Sequence, residues 1–217
     1  MYRLLEIVCY LGGGVLLAFF LSQLAVGEVD RQQGIAAFEN TVGAAAPTDV
    51  EALDLSATKS PDTRLWNAQR IADYEASLSQ ELPPVLGVLE IPAVSLMVPV
   101  YQTNTDLVMD RGAGVIDGMA YPHEAGNIGI SGHRDGYFRA LKDIQVGDTI
   151  ELQTFEGRKR FRIDATQIVE IDDERLLRDT DDQTLTLVTC YPFYFVGHAP
   201  QRFIVTASLD TTYVKQN

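Results

Sequence analysis

The central and C-terminal parts of this sequence consist of short segments in which apolar and polar residues alternate, separated by turn residues. Such alternation is typical of β-strands, because successive side chains of a strand point to opposite faces of its sheet. Between two segments, Glu156-Gly157 is a turn signal that predicts a hairpin. About eight short strands with small helical insertions indicate a mainly β protein, and they favour a closed, largely antiparallel β-barrel over an α/β sheet. The segments assigned as strands are 87–92, 94–100, 126–133, 148–154, 160–170, 184–190 and 201–208.

An uncharged apolar segment runs from Ile7 to Val26, which is close to the roughly 20 residues needed to cross a bilayer core. Its few flanking charges favour a cytoplasmic N-terminus and an external remainder. A cleaved signal peptide is the alternative, since residues 25–27 are small, but the segment exceeds the usual length of a signal-peptide core. A buried helix of a soluble fold is a third explanation, which the glycines at 12–14 disfavour. The sequence thus predicts a membrane anchor.

The rest of the chain divides by composition and periodicity. A stretch rich in Ala, Thr, Asp and Gly without a sustained period predicts a linker. Apolar residues then recur at helical spacing over 62–80, which predicts a helix at the domain edge that Pro83 helps to end. The length that remains suits one domain. The predicted organisation is an anchor over 1–27, a linker over 28–61, a helix over 62–83 and the main β domain over 84–217.

The balance of charges excludes one class of partner. The chain carries 30 acidic and 17 basic residues, a formal net charge of -13. A protein that binds nucleic acid needs a basic stripe to neutralise phosphates, and the sequence has none, so no nucleic-acid partner is predicted. The glycines near residue 114 lack the spacing of a nucleotide-binding loop.

Cys190 is the only cysteine outside the apolar segment, where Cys9 lies, so a disulfide within one domain is not expected. His133 and Cys190 each end a predicted strand and Arg202 begins one, so neighbouring strands would bring the three side chains to one rim. A thiolate is a nucleophile, an imidazole carries protons, and a guanidinium stabilises an oxyanion. Together they indicate acyl transfer through a thioester.

Several motifs resemble those of the sortase family. Thr186-Leu187-Val188-Thr189-Cys190, followed by Arg202, is similar to the TLxTC signature and downstream arginine of sortases. Residues 127–133 and the following Arg134-Asp135 resemble the family's histidine segment, and 87–92 its opening strand. The stretch 190–197 is most similar to class D sortases. The resemblance spans about residues 84 to 209.

This resemblance implies a closed eight-stranded barrel that carries a membrane-anchored cysteine transpeptidase. Cys190 would attack the Thr-Gly carbonyl of an LPxTG-like sorting signal, His133 would act as acid and base, and Arg202 would hold the substrate or stabilise the oxyanion. The implied partners are secreted proteins with that signal and an amine acceptor on the cell surface. The implied location is the bacterial plasma membrane, crossed once, with the catalytic domain outside.

Four further residues are candidates for the same site. Thr189, next to the nucleophile, is a candidate aid to oxyanion binding. Tyr191 and Phe193 are candidates for a wall of the substrate groove, with core packing as the alternative. His198, in the loop before Arg202, departs from the smaller residue expected in close relatives and bears on local pH behaviour.

No cofactor is required by this chemistry, although some sortases use calcium. Asp172, Asp173 and Glu174 form part of an acidic cluster before the predicted cysteine strand. Oxygen ligands of this kind bind Ca²⁺, but the spacing is not that of an EF-hand, and a solvated acidic loop is the favoured alternative. The histidines and Cys190 lack zinc-ligand spacing.

Two other functions compete with a sortase. An L,D-transpeptidase also combines cysteine, histidine and arginine outside the cell, but it usually has Ser-His-Gly-Cys, whereas Val188-Thr189 precede Cys190 here. A membrane-tethered β-domain that only binds a partner would keep Cys190 as a structural residue, since free cysteine packs as a small hydrophobe.

Overall fold

Within the residues that the computed structural model describes, which are 61, 63–173, 178–194, 197 and 199–211, eight strands form a closed barrel. The order around the barrel is β1-β2-β3-β4-β7-β8-β6-β5. The predicted mainly β, closed eight-stranded barrel is therefore confirmed. Its strands are β1 (Val85–Ile91), β2 (Leu96–Tyr101), β3 (Ala113–Val115), β4 (Asn127–Ser131), β5 (Thr149–Thr154), β6 (Gly157–Glu170), β7 (Thr184–Tyr191) and β8 (Gln201–Leu209).

Most neighbouring strands are antiparallel, but β2 pairs with β3 and β4 with β7 in parallel. The β5–β6 pair is the predicted hairpin, with Thr154 opposite Gly157. At the functional end, β7 lies between β4 on one side and β8 on the other. Parallel strands have their carboxyl ends at the same edge, so β4 and β7 both end where β8 begins.

The barrel interior is filled by side chains from alternate positions of these strands. Leu185 and Leu187 of β7, Ile130 of β4, Val205 of β8 and Ile150 of β5 are all fully buried in one cluster. Burial of one such side chain contributes about 1.5–3 kcal/mol. Because side chains alternate, the even-numbered residues of β7 and β8 lie on the outer face of the barrel.

Two details differ from the predicted strands. The second strand begins only at Leu96, because Pro92–Val94 forms a 3₁₀ turn. The three-residue strand β3 was not predicted, since it is too short to show alternation. At its centre, an added Cβ on Gly114 would lie 1.9 Å from the carbonyl oxygen of Thr103, so glycine allows the backbones to approach closely.

The predicted helix before the barrel is present but begins later. A 3₁₀ turn, Thr63–Leu65, precedes α1 (Ala68–Ser77), whose N-cap is Asn67. The Asn67 side chain accepts a hydrogen bond from the Arg70 amide at 2.8 Å, which satisfies a donor of the first turn. The two short insertions are α2 (Asp106–Arg111) and a 3₁₀ helix (Tyr137–Asp143).

The predicted anchor at 1–27 lies outside the described residues, as does the linker at 28–61 except for Pro61. In the part of the chain that the structure describes, no helix has the length and apolar character needed to cross a membrane. The membrane anchor therefore stays a prediction.

Two neighbouring carboxylates on the outer face are expected to act on stability in opposite directions. Burial raises the pKa of Glu90, and the facing Glu151 adds to this. Burial alone would also raise the pKa of Glu151, but hydrogen bonds from Arg160 (2.8 Å) and Arg158 (2.7 Å) lower it below its ordinary value. Folding therefore favours the charged form of Glu151 and disfavours that of Glu90.

Accordingly, we expect Glu151→Gln to lower the free energy of unfolding at neutral pH by about 1 kcal/mol, and Glu90→Gln to raise it slightly. The contribution of Glu151 is present above its unfolded-state pKa and is lost as the pH falls through its lower folded-state value. Urea unfolding at about pH 7 and about pH 3 measures the free energy of unfolding of both variants. If Glu151→Gln lowers this free energy equally at the two pH values, the expectation is contradicted.

Candidate active site

The ends of β4 and β7 bring His133 and Cys190 to the same edge of the barrel. Ser131, the last residue of β4, is the register partner of Val188. His133 lies two residues after Ser131, and Cys190 lies two residues after Val188. Two hydrogen bonds continue the contact past Ser131: the Gly132 amide donates to Val188 O at 3.2 Å, and the Thr189 hydroxyl donates to Gly132 O at 2.8 Å.

Arg202 is the direct register partner of Cys190 on the adjacent antiparallel strand. Both residues are half-buried and even-numbered, so they lie on the outer face, opposite to the buried Leu187 and Val205. The Arg202 guanidinium donates to the carbonyls of Gln201 (3.0 Å) and Ala199 (3.4 Å). The backbone around the start of β8 thus holds the guanidinium of the residue that pairs with Cys190.

His133 has a carboxylate partner that the sequence motifs did not indicate. Its Nε2 lies 3.3 Å from Oδ1 of Asp110, the fifth residue of α2. The Asp110 side chain is 9% exposed, whereas that of His133 is 26% exposed and open to solvent on one side. Gly132 lets the Phe138 ring pack close to the histidine segment, because an added Cβ would lie 3.0 Å from that ring. Asp110 therefore holds the imidazole, and Phe138 packs against the backbone just before it.

The loop that follows the cysteine strand is tied to the histidine segment. Arg134 donates to the carbonyls of Pro192 at 3.1 Å and Gly197 at 2.7 Å. Both carbonyls belong to the β7–β8 loop, which connects Cys190 to Arg202. Arg134 therefore fixes the relative position of the segments that carry the three candidate residues.

Comparison with known proteins decides which family this arrangement represents. A family model described as a sortase domain matches residues 89–210. Sortase D of Bacillus subtilis (strain 168) is 34% identical over 140 residues, which cover 64% of this chain and 71% of that protein.

The chain belongs to the sortase family. Sortases are cysteine transpeptidases. The catalytic domain of Bacillus anthracis SrtD resembles this sortase with a TM-score of 0.51 and 30% identity, covering 60% of this chain and 90% of that one. The fold of sortase C1 of GBS pilus island 1 is also similar, with a TM-score of 0.62, 19% identity and coverage of 86% and 95%.

The structure of this sortase gives positions for three of the four additional site candidates. The Thr189 hydroxyl is buried and donates to Gly132 O, on the inner side of β7. Phe193 is 9% exposed and packs edge-on against Phe203 at 5.2 Å between centroids, and Tyr191 contacts both rings. These aromatic residues pack together as part of the hydrophobic core and its border. His198 lies outside the described residues.

The acidic cluster of the sortase is described only in part. Asp172 and Asp173 follow the end of β6, and Glu174 lies outside the described residues. Among the residues with described positions, there is no group of three or more histidine, cysteine, aspartate or glutamate side chains that could hold a metal ion. The favoured interpretation of this cluster, a solvated acidic loop, stays a prediction, with a calcium site as its alternative.

Proposed function

We propose that this sortase cleaves an LPxTG-like sorting signal between threonine and glycine and transfers the new acyl group to an amine at the cell surface. The observation that carries this proposal is the register pairing of Cys190 with Arg202 on the outer face, beside the parallel strand that leads to His133. An extended peptide can reach an outer face without any opening of the barrel.

The proposed reaction has two steps. In the first, Cys190 gives its thiol proton to His133 and Sγ forms a bond to the threonine carbonyl carbon; the threonine–glycine C–N bond breaks, and His133 gives the proton to the departing amine. In the second, an amine attacks the thioester and the C–S bond breaks. The proton that the amine loses passes through His133 back to the Cys190 sulfur. Arg202 stabilises the oxyanion in both steps, because its charge is permanent.

We further propose that residues 7–26 anchor the enzyme in the bacterial plasma membrane, with the catalytic domain outside. The uncharged length of the segment supports this. Protease added to intact cells should then degrade the catalytic domain. Full protection in intact cells, with degradation only after lysis, would contradict the proposed orientation.

The proposed activity is tested with the full chain in detergent, a quenched library of LPxTG-type peptides and a glycine-based amine, with and without calcium. Mass spectrometry should detect cleavage after threonine, ligation to the amine and a thioester on the Cys190 peptide. A folded protein that gives no adduct and no product with any library member would contradict the proposed signal. Peptide binding without turnover would favour the non-catalytic binding module.

A further inference from the structure

The helix α1 lies outside the part of the chain that matches the sortase family model, which begins at residue 89. It nevertheless reaches the histidine segment. Trp66, just before α1, donates its indole N–H to the carbonyl of Asp135 at 2.8 Å. Arg70 of α1 lies 3.4 Å from the Asp135 carboxylate, and its guanidinium stacks 4.2 Å from the centre of the Trp66 ring.

The most direct contact of α1 with the site is through Asp110. One oxygen of this carboxylate, Oδ1, lies 2.5 Å from Nη1 of Arg70 and 3.3 Å from Nε2 of His133. All three side chains are largely removed from water: 15% of Arg70, 9% of Asp110 and 26% of His133 is exposed. A second bond, from Arg111 to the carbonyl of Ser77 at 2.8 Å, holds the end of α1 against α2.

Burial makes the pairing with Arg70 important. A buried carboxylate is costly unless it is paired, and an Arg–carboxylate pair also restricts the orientation of the carboxylate. Because the same oxygen faces the imidazole, an Asp110 side chain fixed by Arg70 fixes the direction of the His133 ring. With Nε2 facing Asp110, Nδ1 is the ring nitrogen that remains for proton exchange in the proposed reaction.

We infer that Arg70 and Asp110 are positioning residues of this sortase, and that α1 belongs to its catalytic unit. Arg70 holds Asp110, and Asp110 orients His133 at the edge where Cys190 lies. This inference rests on the proposed function for its kinetic consequence, but its structural consequence, the reactivity of Cys190, is measurable without any substrate.

The kinetic test compares Arg70→Met, Asp110→Asn and the double variant in the full chain. Loss of orientation lowers the rate of proton transfer more than it lowers substrate binding. We expect kcat to fall about tenfold in each single variant with KM within about twofold, and the double variant to be no slower than Asp110→Asn. Arg70→Lys should recover part of kcat. Gln69→Met, which introduces the same residue at the exposed neighbouring position, is the control and should leave kcat unchanged.

The substrate-independent test measures the rate at which iodoacetamide alkylates Cys190, followed on the peptide that contains it so that Cys9 does not contribute. Arg70→Met and Asp110→Asn should each slow alkylation about fivefold, again without further loss in the double variant. If alkylation changes as expected but no peptide is cleaved by the unaltered enzyme, the proposed substrate is wrong and this inference stands.

Two results would overturn the inference. One is an unchanged alkylation rate in folded Arg70→Met. The other is a double variant whose fold-decrease in kcat or in alkylation rate equals the product of the decreases in the two single variants. Thermal unfolding of each variant identifies loss of structure. If Arg70→Met is unfolded at the assay temperature, Arg70→Gln replaces it, because glutamine keeps a polar end near Asp110 without the charge.

Discussion

Replacement of Cys190 by alanine is expected to abolish cleavage and amine transfer, with a loss of at least about 10³-fold in kcat/KM. The reason is that the thioester requires a sulfur nucleophile at this position, and neither His133 nor Arg202 can replace it. Peptide cleavage followed by mass spectrometry measures the loss. Because Cys190 is half-buried on the outer face, the variant should unfold at nearly the same temperature as the parent protein.

Cys9→Ala is the matched control for this variant, since Cys9 is the other cysteine of the chain. It should keep full activity toward the peptide. Thioester formation or ligation in Cys190→Ala would mean that another residue is the nucleophile, and the proposed mechanism would then fail.

Replacement of His133 by alanine is expected to lower kcat by about 10²- to 10⁴-fold, which is the range for loss of a general acid and base. The imidazole lies at the edge shared by β4 and β7 and is held through Nε2 by Asp110. Its removal leaves the departing amine without a proton donor. Single-turnover cleavage should be slow even with saturating peptide, and added imidazole should restore part of the rate.

His123→Ala provides a comparison at a second histidine. His123 lies in the loop between β3 and β4, is exposed and stacks on Tyr121 with 5.9 Å between ring centroids. This variant should retain kcat within about twofold, because it removes an exposed imidazole that has no role in the proposed reaction. Equal losses in the two histidine variants would argue against the acid–base role of His133.

The barrel could be predicted from the sequence because its long strands alternate clearly and its hairpin turn contains Gly157. The strand β3 could not, since three residues show no period, and its central Gly114 closely approaches the backbone of Thr103 just after β2. Sequence order placed the three candidate residues at strand ends, and the parallel pairing of β4 with β7 brings those ends together.

The partners of His133 were beyond sequence reasoning for a physical reason. Arg70 and Asp110 are 40 residues apart, and both belong to short helices with no recognisable motif. A buried ion pair of this kind depends on how two helices dock. A single sequence records neither the docking nor the burial that gives the pair its effect.

The closed barrel has a consequence for the size of the proteins it can process. Every described strand is paired on both sides, so the enzyme has no edge to open, and Cys190 lies outside the enclosed core. In the proposed reaction, a protein substrate of any mass can therefore remain folded, provided that its tail reaches the sulfur. An extended tail spans about 3.3–3.6 Å per residue, so in the proposed reaction the length of that tail sets which substrates are accepted.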